Sequence, residues 1–321
     1  MIGYKALNAD MTSGYGNMTY ELGKWYQIER ELQMCRNGFH FCNTLEETLR
    51  FYPLKGSRFF RVETEGKIIT SSEKNVAERI RLVEEVQITD EILDTLVNSK
   101  KTNIRYQVAE YGRSQDLDIL VKDREWNVRY VVAKQKRDRD LDVLVKDENK
   151  FVRCAVAECG RNKDLDILVY DENIDVRCEV ARQGRDKDLD ILVKDTSWEV
   201  RHAVAGQGRD KDLNILVKDE NIDVRCAVVR QKRPQDLDIL VKDKNLDVRC
   251  IVAEQGRDKD LDTLVNDKNW NVRRSVAEQG RPQDLDILVK DEDKFVRYAV
   301  AEHNRPQDLE VLKITQTSVL F

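Results

Sequence analysis

The sequence predicts a mainly α protein: an α-solenoid of nine 24-residue repeats preceded by a small α+β domain. Three observations carry that reading. An Arg recurs at Arg105, Arg129, Arg153, Arg177, Arg201, Arg225, Arg249, Arg273 and Arg297, a period of 24 residues without insertion or deletion. Units this small cannot bury their own apolar faces and must stack on their neighbours. Each unit also holds two apolar runs separated by turn residues. Finally, residues 1–85 lie outside the period and contain strand-like runs. The division expected is an α+β domain at 1–85, a capping helix within 86–98, repeats over 99–314, and a tail at 315–321, where Val319, Leu320 and Phe321 would cover the last repeat.

Within the unit 171–194, Asp171 reads as the N-cap of a first helix, and Val176, Val180 and Ala181 line one side of it. Gly184 ends that helix with a left-handed turn. Asp186 reads as the cap of a shorter second helix, partly 3₁₀, that carries Leu189, Ile191, Leu192 and Val193. Other repeats hold Ser114, Asn162, Pro234, Pro282 or Pro306 at that start position. Trp126, Trp198 and Trp270 share one repeat position, filled elsewhere by Ile174, Ile222 or Leu246; where it is Lys150 or Lys294, Phe151 or Phe295 follows. These groups are expected to pack between repeats.

The totals exclude some classes. With 55 Lys and Arg against 60 Asp and Glu, the net charge is −5, so bulk charge marks no nucleic-acid module. The start of the sequence has no signal-peptide pattern and no run approaches the length of a membrane span, so a cytoplasmic protein without membrane contact is expected. The 7 Cys form no disulfide framework and read as free thiols.

The recurring Asp-x-x-x-x-Val-Arg-x-x-Val-Ala and Asp-Leu-x-x-Leu runs resemble the leucine-rich repeat variant family, a relative of the HEAT-type helical repeats. The resemblance implies alternating α and short 3₁₀ helices in a right-handed superhelix. That family includes a member with a Cys-rich iron–sulfur module ahead of its repeats. Here residues 1–98 hold only Cys35 and Cys42, too few for a four-Cys cluster, so no cofactor is carried over.

Stacking turns each repeat position into a column. Arg129, Arg153, Arg177, Arg201, Arg225, Arg249 and Arg273 are expected to form a structural ladder with Asp residues, such as Arg177 with Asp171. A second column, Arg113 to Arg305, is expected to pair as Arg185 does with Asp188. The competing reading of both is a phosphate-binding stripe for nucleic acid. A third column includes Cys154, Cys178, His202, Cys226 and Cys250. Helix layers about 8–10 Å apart are too widely spaced for metal ligation or disulfides, so it reads as packing. Lys134, Glu158, Arg182, Arg230, Glu254 and Glu278 change sign along the array and are the expected partner-binding column.

In the first 85 residues, Arg58–Glu65, a turn at Gly66, Lys67–Thr70 and Arg79–Val86 read as strands, with one helix near Leu45–Tyr52. Gly3-Tyr4-Lys5-Ala6, Gly38-Phe39-His40-Phe41-Cys42 and the strand from Val62 to Gly66 resemble an uncharacterised domain at the start of bacterial and phage proteins. The order Gly38-Phe39-His40-Phe41, Tyr52, Phe59-Phe60-Arg61-Val62 and Glu78 is also similar to ADP-ribosyltransferases of the poly-ADP-ribose polymerase type. That resemblance implies NAD as cofactor, with Tyr52 stacking on nicotinamide and Glu78 stabilising the transition state. The family's early His or Arg has no counterpart near Tyr4-Lys5-Ala6. Cys35, His40 and Cys42 match no zinc spacing, and no metal site is expected.

The reading that follows is a non-enzymatic interaction protein whose solenoid binds a protein partner. Its alternatives are a transferase-like N-terminal domain delivered by the solenoid, and nucleic-acid binding through the Arg columns.

Overall fold

The computed structural model describes residues 1–14, 18–34, 36–72, 74–308 and 311; Cys35 and the tail 315–321 lie outside them. The chain forms two compact units, Met1–Cys159 and Gly160–Phe321.

The first unit opens with an antiparallel sheet. Strands β1 (Ile2–Asn8), β2 (Trp25–Gln27), β3 (Phe39–Phe41), β4 (Ser57–Thr70) and β5 (Asn75–Val86) are ordered β1-β4-β5-β2, with β3 also pairing β5. Alternation along the strands buries Leu7, Phe39, Phe41, Phe60, Val62, Ile80 and Leu82 in one core with Tyr20. The opposite face of the β4–β5 pair carries ion pairs set by register, Arg79 with Glu65 at 2.5 Å and Arg81 with Glu63, while Arg58 pairs Glu85 at 2.6 Å beside the Phe60 ring. Gly66 does not reverse the chain. Its φ of +76° sits within β4 at a register shift between Glu65 and Ile68, so the two expected strands are one bulged strand. The Glu78 carboxylate holds this bulge, accepting from the Lys67 N–H at 2.7 Å.

Helix α1 (Leu45–Thr48) is fixed by a reciprocal capping box between Thr44 and Glu47. Helix α2 (Asp90–Leu96) buries Leu93 and Leu96 ahead of the repeats. The sheet domain is fastened to the first repeat by Gln107, which donates to Leu49 O at 2.6 Å and accepts from the Leu54 N–H at 2.8 Å. Glu46 adds contacts from Ser99 at 3.1 Å and Lys101 at 3.2 Å.

Each repeat is a long helix followed by a short one. In the first unit the long helices are Thr102–Tyr111, Trp126–Lys134 and Lys150–Glu158, alternating with Ser114–Leu120 and Asp138–Leu144. In the second, Ile174–Arg182, Trp198–Gly206, Ile222–Arg230, Leu246–Glu254, Trp270–Glu278 and Lys294–Glu302 alternate with short helices from Asn162–Leu168 to Pro282–Leu288. Within each unit, long helices pack on long helices of adjacent repeats, with the short helices to one side. The two buried Val and the buried Ala of the long helix meet the paired Leu of the short one: Val176, Val180 and Ala181 with Leu189 and Leu192, all at most 1% exposed.

Three local expectations change. Asp171 is not the N-cap; Asn173 is, its Oδ1 accepting from the Asp175 N–H at 2.9 Å, while Asp171 closes the preceding turn by accepting from the Asn173 N–H at 2.8 Å. Asp186 is the first residue inside the short helix, where its charge complements the positive helix end, and Arg185 is the boundary residue. The short helix is α rather than 3₁₀. Gly184 takes φ +70° just past the long helix, and Lys136, Lys232 and Asn304 take the same left-handed geometry at equivalent positions.

Candidate interaction surface

Both Arg columns are consumed by the architecture. Arg177 reaches back toward the N-terminus of its own helix, as helical side chains do. There its Nη1 donates to the main-chain O of Asp171 at 2.8 Å. Its carboxylate partner is not Asp171 but Asp195 of the following repeat, gripped by Nε at 2.6 Å and Nη2 at 2.9 Å. The expected pairing was one repeat out, because the side chain bridges two stacked loops. The same fork joins Arg129 to Asp147 in the first unit and Arg201 to Asp219, Arg225 to Asp243, Arg249 to Asp267 and Arg273 to Asp291 in the second. Arg153 donates to Asp147 O at 2.8 Å. Burial raises the Asp267 carboxyl, but the bonds from Arg249 and the Asn269 N–H outweigh it and hold it below the ordinary range.

The second column pairs within its own repeat, as expected. Arg185 grips the buried Asp188 at 2.7 and 2.6 Å, and its Nη1 also reaches Asn162 O of the preceding repeat at 3.0 Å. A guanidinium has five N–H donors, and here they are directed at carboxylates and carbonyls of the fold. A polyphosphate strand would have to displace those partners.

What the long helices present outward is a line formed by the first residue, the residue four later and the residue eight later. In the first unit, Trp126, Tyr130 and Lys134 form one such line. Trp126 packs tilted against Phe151 of the next repeat with ring centroids 5.2 Å apart, which is the packing expected of this position, yet it remains 41% exposed. In the second unit, Trp270 and Phe295 repeat this pair at 5.3 Å, and Ile174, Trp198 and Ile222 are exposed at the same position. These side chains both pack and face solvent.

The expected partner-binding column lies at the far end of the same helices. Lys134, Glu158, Arg182, Arg230, Glu254 and Glu278 are all exposed. Several are engaged locally: Lys134 with Glu158 at 2.5 Å, Arg182 with Glu179 at 3.2 Å, and Glu278 with Arg274 at 2.8 Å. The Cys column is half-buried to buried, and Cys178, Cys226 and Cys250 are free thiols. Burial raises the Cys178, Cys226 and Cys250 thiols above their ordinary range.

Sequence reasoning passed over one row. The residue after the large apolar position is Asp175, Glu199, Asp223 and Asp247 in four successive repeats, and each is exposed. The signal was in the sequence as an unbroken acidic run at one repeat position.

The transferase candidates are not brought together. The Tyr52 hydroxyl accepts from the Gly14 N–H at 2.6 Å, and Tyr52 lines an open depression of about 570 Å³ with Phe51, Asn103, Tyr106 and Asn127. Glu78 is not among the lining residues and serves the β4 bulge. Near the third strand, Lys5 is buried and donates to His40 O at 2.9 Å, its ammonium lying over the Tyr20 ring. Burial lowers Lys5 to about 8, the Cys42 thiol opposing the shift. Burial, then Lys74 and Lys5, lowers His40 to about 4, and burial raises Cys42 to about 11. Among the described residues no three His, Cys, Asp or Glu side chains are grouped to hold a metal, and no helix is long and apolar enough to cross a membrane.

Comparison with known proteins gives the two parts different relatives. No curated protein matches the chain. A solved structure described as a leucine-rich repeat variant with a novel repetitive protein structural motif is 27% identical, with a TM-score of 0.54, over 64% of this chain and 87% of that one. The YibA protein of E. coli is 20% identical, with a TM-score of 0.32, over 70% of this chain and 93% of that one. Residues 1–94 match the family described as a domain of unknown function (DUF7666). The chain thus joins a domain similar to that uncharacterised family to a helical array similar to the leucine-rich repeat variant.

Proposed function

We propose that this chain is a non-enzymatic interaction protein that binds a protein partner on the outward face of its long helices. The observation that carries the reading is the set of large apolar side chains left exposed at the start of the long helices: Trp126 and Phe151 in the first unit, and Ile174, Trp198, Ile222 and Phe295 in the second, the two Phe one position after the others. Exposed aromatic and aliphatic groups in register are what partner surfaces bury as anchors. The charged column at the other helix end, Lys134 to Glu278, would set partner choice at the rim. Nucleic-acid binding is disfavoured because the Arg side chains it requires are committed to Asp partners. The transferase reading, with NAD, gains no support from Tyr52 and Glu78, which occupy separate environments.

The test is affinity capture with the full-length protein and a Trp198→Ala/Ile222→Ala variant, with bound proteins identified by mass spectrometry. Loss of a specific protein from the variant, with its helical circular dichroism unchanged, supports the reading. Equal capture by both removes this face from consideration.

A further inference from the structure

The second unit carries a surface more specific than an apolar stripe. Along Ile174, Trp198, Ile222 and Leu246 runs a parallel row of exposed carboxylates, Asp175, Glu199, Asp223 and Asp247. Toward the middle of the same helices the side chains are short or thin: Cys178, His202, Cys226 and Cys250, with Gly206 in the last turn. The result is an apolar strip with one acidic edge. Arg182 and Arg230 stand at the opposite helix end, about 10 Å along the axis at 1.5 Å per residue. The loops ahead of these helices carry exposed charges of both signs, Lys194, Lys218, Lys242, Lys244 and Lys268 with Glu172 and Glu220.

The acidic row is not required for folding. An acid in the first helical turn complements the helix dipole, but equivalent positions hold Asn127, Phe151, Asn271 and Phe295. Those helices have the same nine-residue span, as Trp270–Glu278 and Lys294–Glu302 show beside Ile174–Arg182. Asn269 and Asp293 cap them as Asn173 caps its own helix. The fold therefore does not demand a carboxylate at this position, although Glu199 also accepts from the Ser197 hydroxyl.

The spacing selects the ligand's conformation. Packed helices lie about 8–10 Å apart. A β-strand rises about 3.3 Å per residue with side chains alternating between faces, so every second side chain advances only about 7 Å. A polyproline II segment has three residues per turn and rises about 3.1 Å per residue. Every third side chain then points the same way and advances about 9 Å, in step with the repeats.

We infer that the strip from Ile174 to Cys250 binds an extended polypeptide segment of polyproline II form, with Lys or Arg at every third residue facing Asp175, Glu199, Asp223 and Asp247, and apolar residues between them on Ile174, Trp198 and Ile222. The inference rests on the reading of the long-helix face as a protein-binding surface and names its partner's chemistry.

The test uses full-length protein and fluorescein-labelled (Arg-Leu-Pro)4, followed by fluorescence anisotropy. The controls are (Glu-Leu-Pro)4 and a peptide of the same composition as the first with its order scrambled. The expected result is binding of (Arg-Leu-Pro)4 that weakens as salt rises, falls at least tenfold in Asp223→Asn/Asp247→Asn and in Trp198→Ala, and exceeds that of both controls. Unchanged helical circular dichroism in the variants separates loss of binding from loss of fold. Equal binding of the acidic or the scrambled peptide, an unchanged affinity in Asp223→Asn/Asp247→Asn, or no binding of any peptide overturns the inference. If no peptide binds but a captured protein is still lost from Trp198→Ala/Ile222→Ala, the broader reading stands without this one; if neither is seen, both fall.

Discussion

Gln107 clasps Leu54: its Oε1 accepts from the Leu54 N–H at 2.8 Å while its Nε2 donates to Leu49 O at 2.6 Å. One side-chain amide thereby satisfies two main-chain groups of the segment after α1. Equivalent positions in later repeats hold Val131, Ala155, Ala203, Ala227, Ile251 and Ala299, which could not make these bonds, with Glu179 and Ser275 the polar exceptions. Gln107→Ala leaves a buried N–H and a carbonyl without partners, a cost of about 1–3 kcal/mol each. Hydrogen exchange at residues 49–55 should accelerate in the variant, while exchange in 176–250 stays unchanged. Unaltered exchange at Leu54 would show that Gln107 is not the fastener.

The helix ends offer a stabilising change. Lys136 and Lys232 adopt φ +59° where Gly184 and Gly208 take +70° and +72°. A side chain in that region costs roughly 1–2 kcal/mol. Lys232→Gly should therefore raise stability by about 1 kcal/mol and Gly184→Ala should lower it by a similar amount, read as opposite shifts in the chemical-denaturation midpoint. Shifts in the same direction would contradict the left-handed assignment.

Lys5 gives the sheet domain a pH signature. Burial lowers its ammonium from 10.5 to about 8 in the folded chain. Between those values the unfolded chain holds a proton that the folded chain has released, so stability rises with pH across that window. Below about pH 8 both states are protonated and the full penalty is present, about 3 kcal/mol at 1.36 kcal/mol per unit. Denaturation of wild type and Lys5→Met from pH 7 to 10.5 should show a rise in the wild type that the variant lacks. Parallel curves would mean that Lys5 keeps its ordinary affinity for the proton.

NAD binding separates the interaction reading from the transferase one. Isothermal titration at millimolar NAD is expected to show no heat attributable to binding. Binding abolished by both Tyr52→Ala and Glu78→Ala would instead restore the transferase-like reading of the first domain.

Much of the architecture was legible because the 24-residue period repeats the same physics. Val176, Val180, Ala181 and Gly184 report a helix and its end, and Asp188 lies one helical turn from Arg185. What was not legible depended on contacts between layers. Arg177 has Asp171 six residues before it and Asp195 eighteen after it, and only the stacked loops show that the first offers its carbonyl and the second its carboxylate. Gly66 reads as a turn by residue type, but pairing with β5 on both sides makes it a bulge. The exposed Trp position was legible as packing, whereas its simultaneous exposure beside an acidic row required the helices to be set side by side.

The Arg columns are architecture, and the long-helix edge is the proposed working surface. Arg201 and Trp198 lie three residues apart on one helix, the first buried and the second exposed. Arg201 grips Asp219 at 2.6 and 2.9 Å and reaches Asp195 O at 2.8 Å, so Arg201→Ala strands a buried carboxylate, a loss of about 3–5 kcal/mol. The most direct measurement is the unfolding midpoint of Arg201→Ala beside that of the wild type. A clear fall is expected; an unchanged midpoint accompanied by lost partner binding would move the column from structure to function.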